Sequence, residues 1–157
     1  MGPRSEVVEK IRTTELLLDR DFESAARKAV EQAKRRIWVM AYAWRWYVNE
    51  PQKPIQQFNT AFLQAIKRGV GTKVLVQDAG IVPMLKTYGL NVKQMPSGRI
   101  LHTKAILVDN KALFIGSHNL TDRAFSTNLE LSCKITDFEA LAQFESYFDG
   151  FWRNVGV

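Results

Sequence analysis

Two short apolar runs joined by Asp109-Asn110 constrain this chain more than any other feature. The stretch from Leu101 to Leu120 reads LHTKAILVDNKALFIGSHNL. An Asp-Asn pair between two such runs predicts a hairpin, with strands at about 103–108 and 111–115. Strand residues two apart share a face. His102 and Lys104 therefore project together from the start of the first strand. Ser117 and Asn119 do the same just past the second, if the chain stays extended there. The hairpin gathers an imidazole, an ammonium, a hydroxyl and an amide. That set holds a nucleophile or base and several donors for an oxyanion, which is what phosphoryl transfer needs.

The rest of the chain reads as alternating elements. Leu16–Leu18 suggests a first strand, with Asp19–Asp21 as the turn after it. Helical spacing of Phe22, Ala25, Ala26, Ala29, Val30 and Ala33 predicts a helix to about Lys34. A strand follows over Ile37–Ala43, then a loop over 48–54 punctuated by two prolines. An amphipathic helix runs from Ile55 to Arg68, with Gly69 just past its end. Lys73–Val76 is a strand. Ile81–Tyr88 is a short helix in which Pro83 must lie in the first turn. Asn91–Gln94 is a weak strand. After the hairpin come a turn over 121–127, a strand over Leu129–Ile135, and a helix from Phe138 to about Trp152 capped by Asp137. This order predicts an α/β fold, a mixed sheet flanked by helices on both faces. Residues 1–13 read as an extension and 14–157 as one domain.

At 157 residues with 46% hydrophobic content, the chain is long enough for one globular core. A net charge of +6 favours an anionic partner such as nucleic acid or an acidic membrane surface, and also serves solubility. The single cysteine, Cys133, excludes an intrachain disulfide and fits a reducing, cytoplasmic setting. The first residues, MGPRSEVVEKIR, have no apolar signal core, and no segment has the length of a membrane span. Two histidines and one cysteine cannot build a His- or Cys-rich zinc site. A magnesium site needs fewer protein ligands, but no carboxylate cluster stands out.

The motif His102-x-Lys104, four residues, Asp109, six residues, Gly116-Ser117-x-Asn119 resembles the signature of the phospholipase D superfamily at every fixed position. Glu130, in Asn128-Leu129-Glu130, resembles the acidic residue that follows the signature in many members. The order of elements over residues 14–154 is similar too. The chain carries one copy of the motif. The resemblance to small single-copy bacterial endonucleases implies a phospholipase D-like fold, a homodimer with one shared active site, and metal-independent phosphodiester cleavage through a phosphohistidine, with no cofactor.

In that reading His102 is the nucleophile, and the His102 of the second copy is the general acid and then the base. One imidazole cannot easily serve both ends of an in-line displacement. Lys104 binds a phosphate oxygen as a point charge. Asn119 and Ser117 donate to the phosphate, and Gly116 lets the backbone approach the substrate closely. Glu130 accepts from the imidazole, as triad carboxylates do. Asp109 sits on the opposite strand face from His102 and is expected to be structural. His118 alternates away from Ser117 and Asn119 and has no assigned role. Read alone, each of these residues also fits a plainer role, since Gly, Ser and Asn favour turns.

Trp44, Arg45 and Trp46 follow the second strand, where ligands gather in open α/β sheets. Aromatics interleaved with arginine suit base stacking and phosphate contact. Core packing suits them equally. Lys34-Arg35-Arg36 reads as a helix end. Arg99, shortly before His102, is a better candidate for phosphate-backbone contact.

The chemistry suits any phosphodiester. Charge, size and the aromatic–arginine segment favour an endonuclease acting on DNA or RNA, with little sequence preference because phosphate contacts carry no base information. The alternatives are a phospholipase or cardiolipin-type lipid phosphodiesterase, and a nucleic-acid-binding module without activity. No stable membrane association is expected.

Overall fold

The computed structural model describes residues 12–156. Seven strands form one mixed sheet: β1 (Thr14–Leu18), β2 (Arg36–Ala41), β3 (Gly71–Val76), β4 (Val92–Gln94), β5 (Ala105–Val108), β6 (Ala112–Gly116) and β7 (Leu131–Ile135). Their spatial order is β1-β7-β6-β5-β2-β3-β4. Strands β2, β3 and β4 are parallel, and every other pairing is antiparallel. The expected α/β architecture is therefore present. The 1–13 extension falls mostly outside the described residues. Its last residue, Thr13, accepts a hydrogen bond from the Thr136 amide at 2.8 Å.

Helices α1 (Asp21–Gln32), α2 (Pro54–Lys67), α3 (Val82–Thr87) and α4 (Asp122–Ser126) cover one face. Phe22, Phe58, Phe62 and Phe125 pack there against Val39, Val74, Ile106 and Phe114. Helix α5 (Phe138–Asn154) lies on the other face, where Leu141, Phe148 and Trp152 meet Trp38, Met40, Leu75 and Leu107. Asp137 caps α5 by accepting from the Ala140 amide at 2.9 Å. Pro83 occupies the first turn of α3, where its missing N–H costs nothing.

Three strands fall two residues short of their sequence-expected ends at the same end of the sheet, whereas β1 and β3 begin two residues early at the other end, at Thr14 and Gly71. β2 stops at Ala41, β5 starts at Ala105 and β7 starts at Leu131. Beyond β2 and β6 the chain leaves the ladder, and the two exits pair with each other. The Arg45 amide donates to the Leu120 carbonyl at 2.8 Å, and the Leu120 amide to the Ala43 carbonyl at 3.1 Å. Antiparallel pairing of β5 with β2 puts the start of β5, the ends of β2 and β6 and the start of β7 at one end of the sheet.

Candidate active site

That end of the sheet carries His102, Lys104, Ser117, Asn119 and Glu130. His102 is exposed just before β5, with its ring edge-on to Tyr42 at 5.2 Å between centroids. Lys104 Nζ lies 3.3 Å from His102 Nε2 and donates to the His102 carbonyl at 2.8 Å. The expected projection of these two side chains to one side is what the structure shows. Partial burial lowers the Lys104 pKa, opposed by attraction to the Glu130 carboxylate.

The residue just before His102 is anchored by a side chain with no sequence signature. Gln77, one residue past β3, accepts from the Leu101 amide through Oε1 at 2.6 Å. Its backbone N–H donates to the Ala41 carbonyl at 3.0 Å. Gln77 thus ties the ends of β2 and β3 to the approach of β5.

Ser117 and Asn119 have different surroundings. The Ser117 hydroxyl donates to Glu130 Oε2 and accepts from the Leu131 amide. Asn119 has a buried Oδ1 without a hydrogen-bond partner. Among the described residues no hydrogen bond engages its Nδ2 either, which leaves that amide to donate elsewhere. Glu130 accepts from Ser117 and from Asn128 Nδ2 at 3.0 Å, and not from His102. The sheet order explains this difference. β6 lies between β7 and β5, so about 9–10 Å of sheet separates Glu130 from the His102 strand, and Ser117 intervenes. Asp19 holds Glu130 from the other side: its Oδ1 accepts from the Glu130 amide at 2.8 Å, and its amide donates to the Glu130 carbonyl at 3.0 Å. Asp19 has φ 48°, a left-handed conformation that aspartate tolerates.

His118 is a buried structural residue. Nδ1 lies 2.7 Å from the Ser132 hydroxyl and Nε2 lies 2.7 Å from the Asp19 carbonyl. Its ring stacks on Phe22 at 4.3 Å. Burial lowers its pKa, against the Asp19 carbonyl and nearby carboxylates. Asp109 is buried at the far end of the sheet, where its carboxylate accepts from the Lys34, Arg35 and Arg36 amides at 3.2, 2.8 and 3.0 Å. Gly116 packs closely against β7. A Cβ there would collide with the Ser132 side chain and backbone and with the Leu131 carbonyl.

The aromatic–arginine segment is largely core. Trp44 is fully buried, and its Nε1 donates to Asn59 Oδ1 at 2.7 Å, so it cannot stack on a base. Trp46 is half-buried and stacked on Tyr88 at 4.9 Å. Only Arg45 faces solvent, where it pairs with Asp78. The reason is the exit from β2: its pairing with Leu120 turns Trp44 inward beneath α2. Arg99 is exposed, with its guanidinium 5.3 Å from the Phe151 ring. No group of three or more His, Cys, Asp or Glu side chains among the described residues is arranged to hold a metal.

A family model described as a cardiolipin synthase, phospholipase D-like domain matches residues 27–152. The chain belongs to the phospholipase D superfamily. It is 25% identical over 131 residues to the probable cardiolipin synthase YwiE of Bacillus subtilis, covering 76% of this chain and 24% of that protein. It is 30% identical over 140 residues to the 5'-3' exonuclease PLD3 of Xenopus laevis, covering 78% of this chain and 28% of that protein. The chain thus spans about a quarter of the length of these curated relatives. Its fold is that of Nuc from Salmonella typhimurium, a phospholipase D family member. The TM-score is 0.75 at 23% identity, over 89% of this chain and 93% of that one.

Proposed function

We propose that this protein is a metal-independent phosphodiesterase, an endonuclease of DNA or RNA that works as a homodimer with one shared active site. The carrying observation is the placement of Lys104 Nζ 3.3 Å from Nε2 of an exposed His102. A phosphate that meets this nitrogen also meets a cation. His102 attacks phosphorus, forming a P–N bond as the P–O bond to the leaving group breaks. The His102 of a second copy supplies the leaving oxygen with its proton. That second imidazole then takes a proton from water, whose oxygen attacks phosphorus and releases His102. Lys104 and the Nδ2 of Asn119 hold non-bridging oxygens. Glu130 acts through Ser117, by fixing its hydroxyl.

The open placement of the site at a sheet end suits a polymer, and the net positive charge suits a polyanion. Trp44, buried in the core, drops out as a binding residue, leaving Arg45 and Arg99 as candidate phosphate contacts and the half-buried Trp46 as a candidate stacking surface. A lipid phosphodiester is the second reading, favoured by the cardiolipin synthase among the relatives. No helix among the described residues is long and apolar enough to cross a membrane.

The test is incubation with labelled single- and double-stranded DNA and RNA, and with phospholipid vesicles, in excess chelator. His102→Ala runs in parallel. Cleavage of nucleic acid by the parent alone supports the proposal. Turnover of lipid with nucleic acid untouched supports the second reading. Nucleic-acid cleavage that persists in His102→Ala, or that needs a metal, overturns the mechanism.

A further inference from the structure

We infer that Tyr42 is a positioning residue of the candidate site: its ring holds the His102 imidazole and the Lys104 ammonium in the arrangement in which both meet one phosphate. This inference rests on the phosphodiesterase reading and adds to it the group that orients the nucleophile.

An imidazole that attacks or carries protons is ordinarily oriented by a second group, often a carboxylate on its other nitrogen. His102 has no such partner. Among the described residues, the hydrogen bond to its ring comes from Lys104 Nζ, 3.3 Å from Nε2. Glu130 is taken by Ser117 and Asn128. Asp78, at the same end of the sheet, is taken by Arg45 and by the Gly80 amide. His102 is exposed and lies before β5, so neither burial nor the strand ladder fixes its side-chain torsions. Left free, such a side chain samples several staggered rotamers, and those that turn Nε2 away from Lys104 are unproductive.

Tyr42 supplies the missing restraint. Its ring meets the imidazole at 5.2 Å between centroids and 65° between planes, an edge-to-face geometry that aromatic pairs prefer. The same ring lies 5.6 Å from Lys104 Nζ, within reach of cation–π attraction. One side chain therefore touches both groups that the proposed reaction brings to phosphorus. Attraction to the ring uses none of the ammonium's N–H donors, so those not spent on His102 stay free for phosphate oxygens.

A wall restrains its neighbours only if it is fixed itself. Tyr42 is the first residue past β2, and the backbone on either side of it is pinned. The Ala41 carbonyl accepts from the Gln77 backbone N–H at 3.0 Å, and the Ala43 carbonyl accepts from the Leu120 amide at 3.1 Å. Gln77 also holds the Leu101 amide, next to His102, at 2.6 Å. The ring and the imidazole thus sit on two stretches of chain that one residue ties together. Tyr42 is 40% exposed, so a smaller side chain there opens no cavity in the core.

The experiment combines steady-state kinetics with proton NMR of the full chain and two variants. Tyr42→Leu removes the ring and keeps an apolar side chain; Tyr42→Phe keeps the ring. With an oligonucleotide that the parent cleaves, Tyr42→Leu is expected to lower kcat about 10–10²-fold, with KM within about twofold and far-UV circular dichroism unchanged. Tyr42→Phe is expected to restore the parent kcat. The chain has two histidines, so His118, buried and held at both ring nitrogens, serves as the internal reference for the imidazole signals. The Tyr42 ring current displaces the His102 Hε1 signal in the parent and in Tyr42→Phe. In Tyr42→Leu that signal moves toward the position of a free imidazole, while that of His118 stays.

Parent-like cleavage by Tyr42→Leu overturns the inference. So does an equal loss in both variants, which assigns the effect to the hydroxyl. A raised KM at unchanged kcat overturns it as well, because Tyr42 is then a substrate contact. The NMR measurement needs no substrate and separates this inference from the reading it rests on. An identical His102 signal in all three proteins overturns the inference whatever the activity. The expected shifts in a protein that cleaves no phosphodiester overturn the phosphodiesterase reading and leave the orientation of His102 by Tyr42 standing.

Discussion

Lys104 Nζ sits 3.3 Å from Nε2 of His102 while donating to the backbone carbonyl of the same residue at 2.8 Å. The second bond makes the first possible, because it folds a long, flexible side chain back over the imidazole. The ammonium is thereby positioned before substrate arrives. Lys104→Met keeps the length of the side chain and removes the charge. It is expected to lower kcat about 10²–10³-fold, with the Tm within a few degrees of the parent. Single-turnover cleavage and a thermal melt check this.

Asp109 belongs to the motif but works 75 residues away from its first partner, Lys34, at the opposite end of the sheet. Asp109→Ala leaves the Lys34, Arg35 and Arg36 amides without their acceptor. A loss of about 1–3 kcal/mol in urea unfolding is expected, with activity per folded molecule retained. Burial raises the Asp109 pKa, but the three backbone donors outweigh it and hold the carboxyl below its usual range. Its contribution is therefore full above about pH 4 and is lost as pH falls through the lowered folded-state value. The gap between parent and variant should narrow on acidification.

Gly116→Ala drives a methyl group into the backbone and side chain of β7. Because the obstruction includes Ser132 Cα and the Leu131 carbonyl, repacking of a side chain cannot relieve it. The expected cost is about 1–3 kcal/mol or more, with Ser117 and Glu130 displaced together. Tm and cleavage rate should both fall.

His118 is held neutral by burial, with both ring nitrogens engaged. Its folded-state pKa lies below the unfolded value of about 6.5. Between the two, the unfolded chain holds a proton that the folded chain does not, so stability drops as pH is lowered below about 6.5. His118→Asn removes this titration. The stability difference between parent and variant, from urea melts at pH 8 and pH 5.5, should be smaller at the lower pH. An unchanged difference would show that His118 does not titrate between these values.

Much of the architecture was legible in the chain. Periods of 2 and 3.6 residues marked the strands and helices, Asp137 and Pro83 marked helix starts, and Asp109-Asn110 marked the hairpin. The shared direction of His102 and Lys104 followed from strand alternation alone. These are local properties, set by residues within a few positions of one another. The partners of Glu130 were not legible, because they depend on β6 lying between β7 and β5. Trp44 fitted base stacking and core packing equally until the pairing of Ala43 and Arg45 with Leu120 placed it in the core. Gln77 and Asp19 carry no pattern of their own, and they matter only because the ends of distant strands converge on them. The burial of Leu17 is of the same kind: the run Leu16-Leu17-Leu18 suggested a strand, but which leucine lay buried was decided by the side of the sheet on which α1 packs. Local sequence determined what each segment is. Long-range packing decided which side chains meet, since hydrogen-bonding partners across a sheet are chosen by strand order and register, and neither is encoded within a single segment.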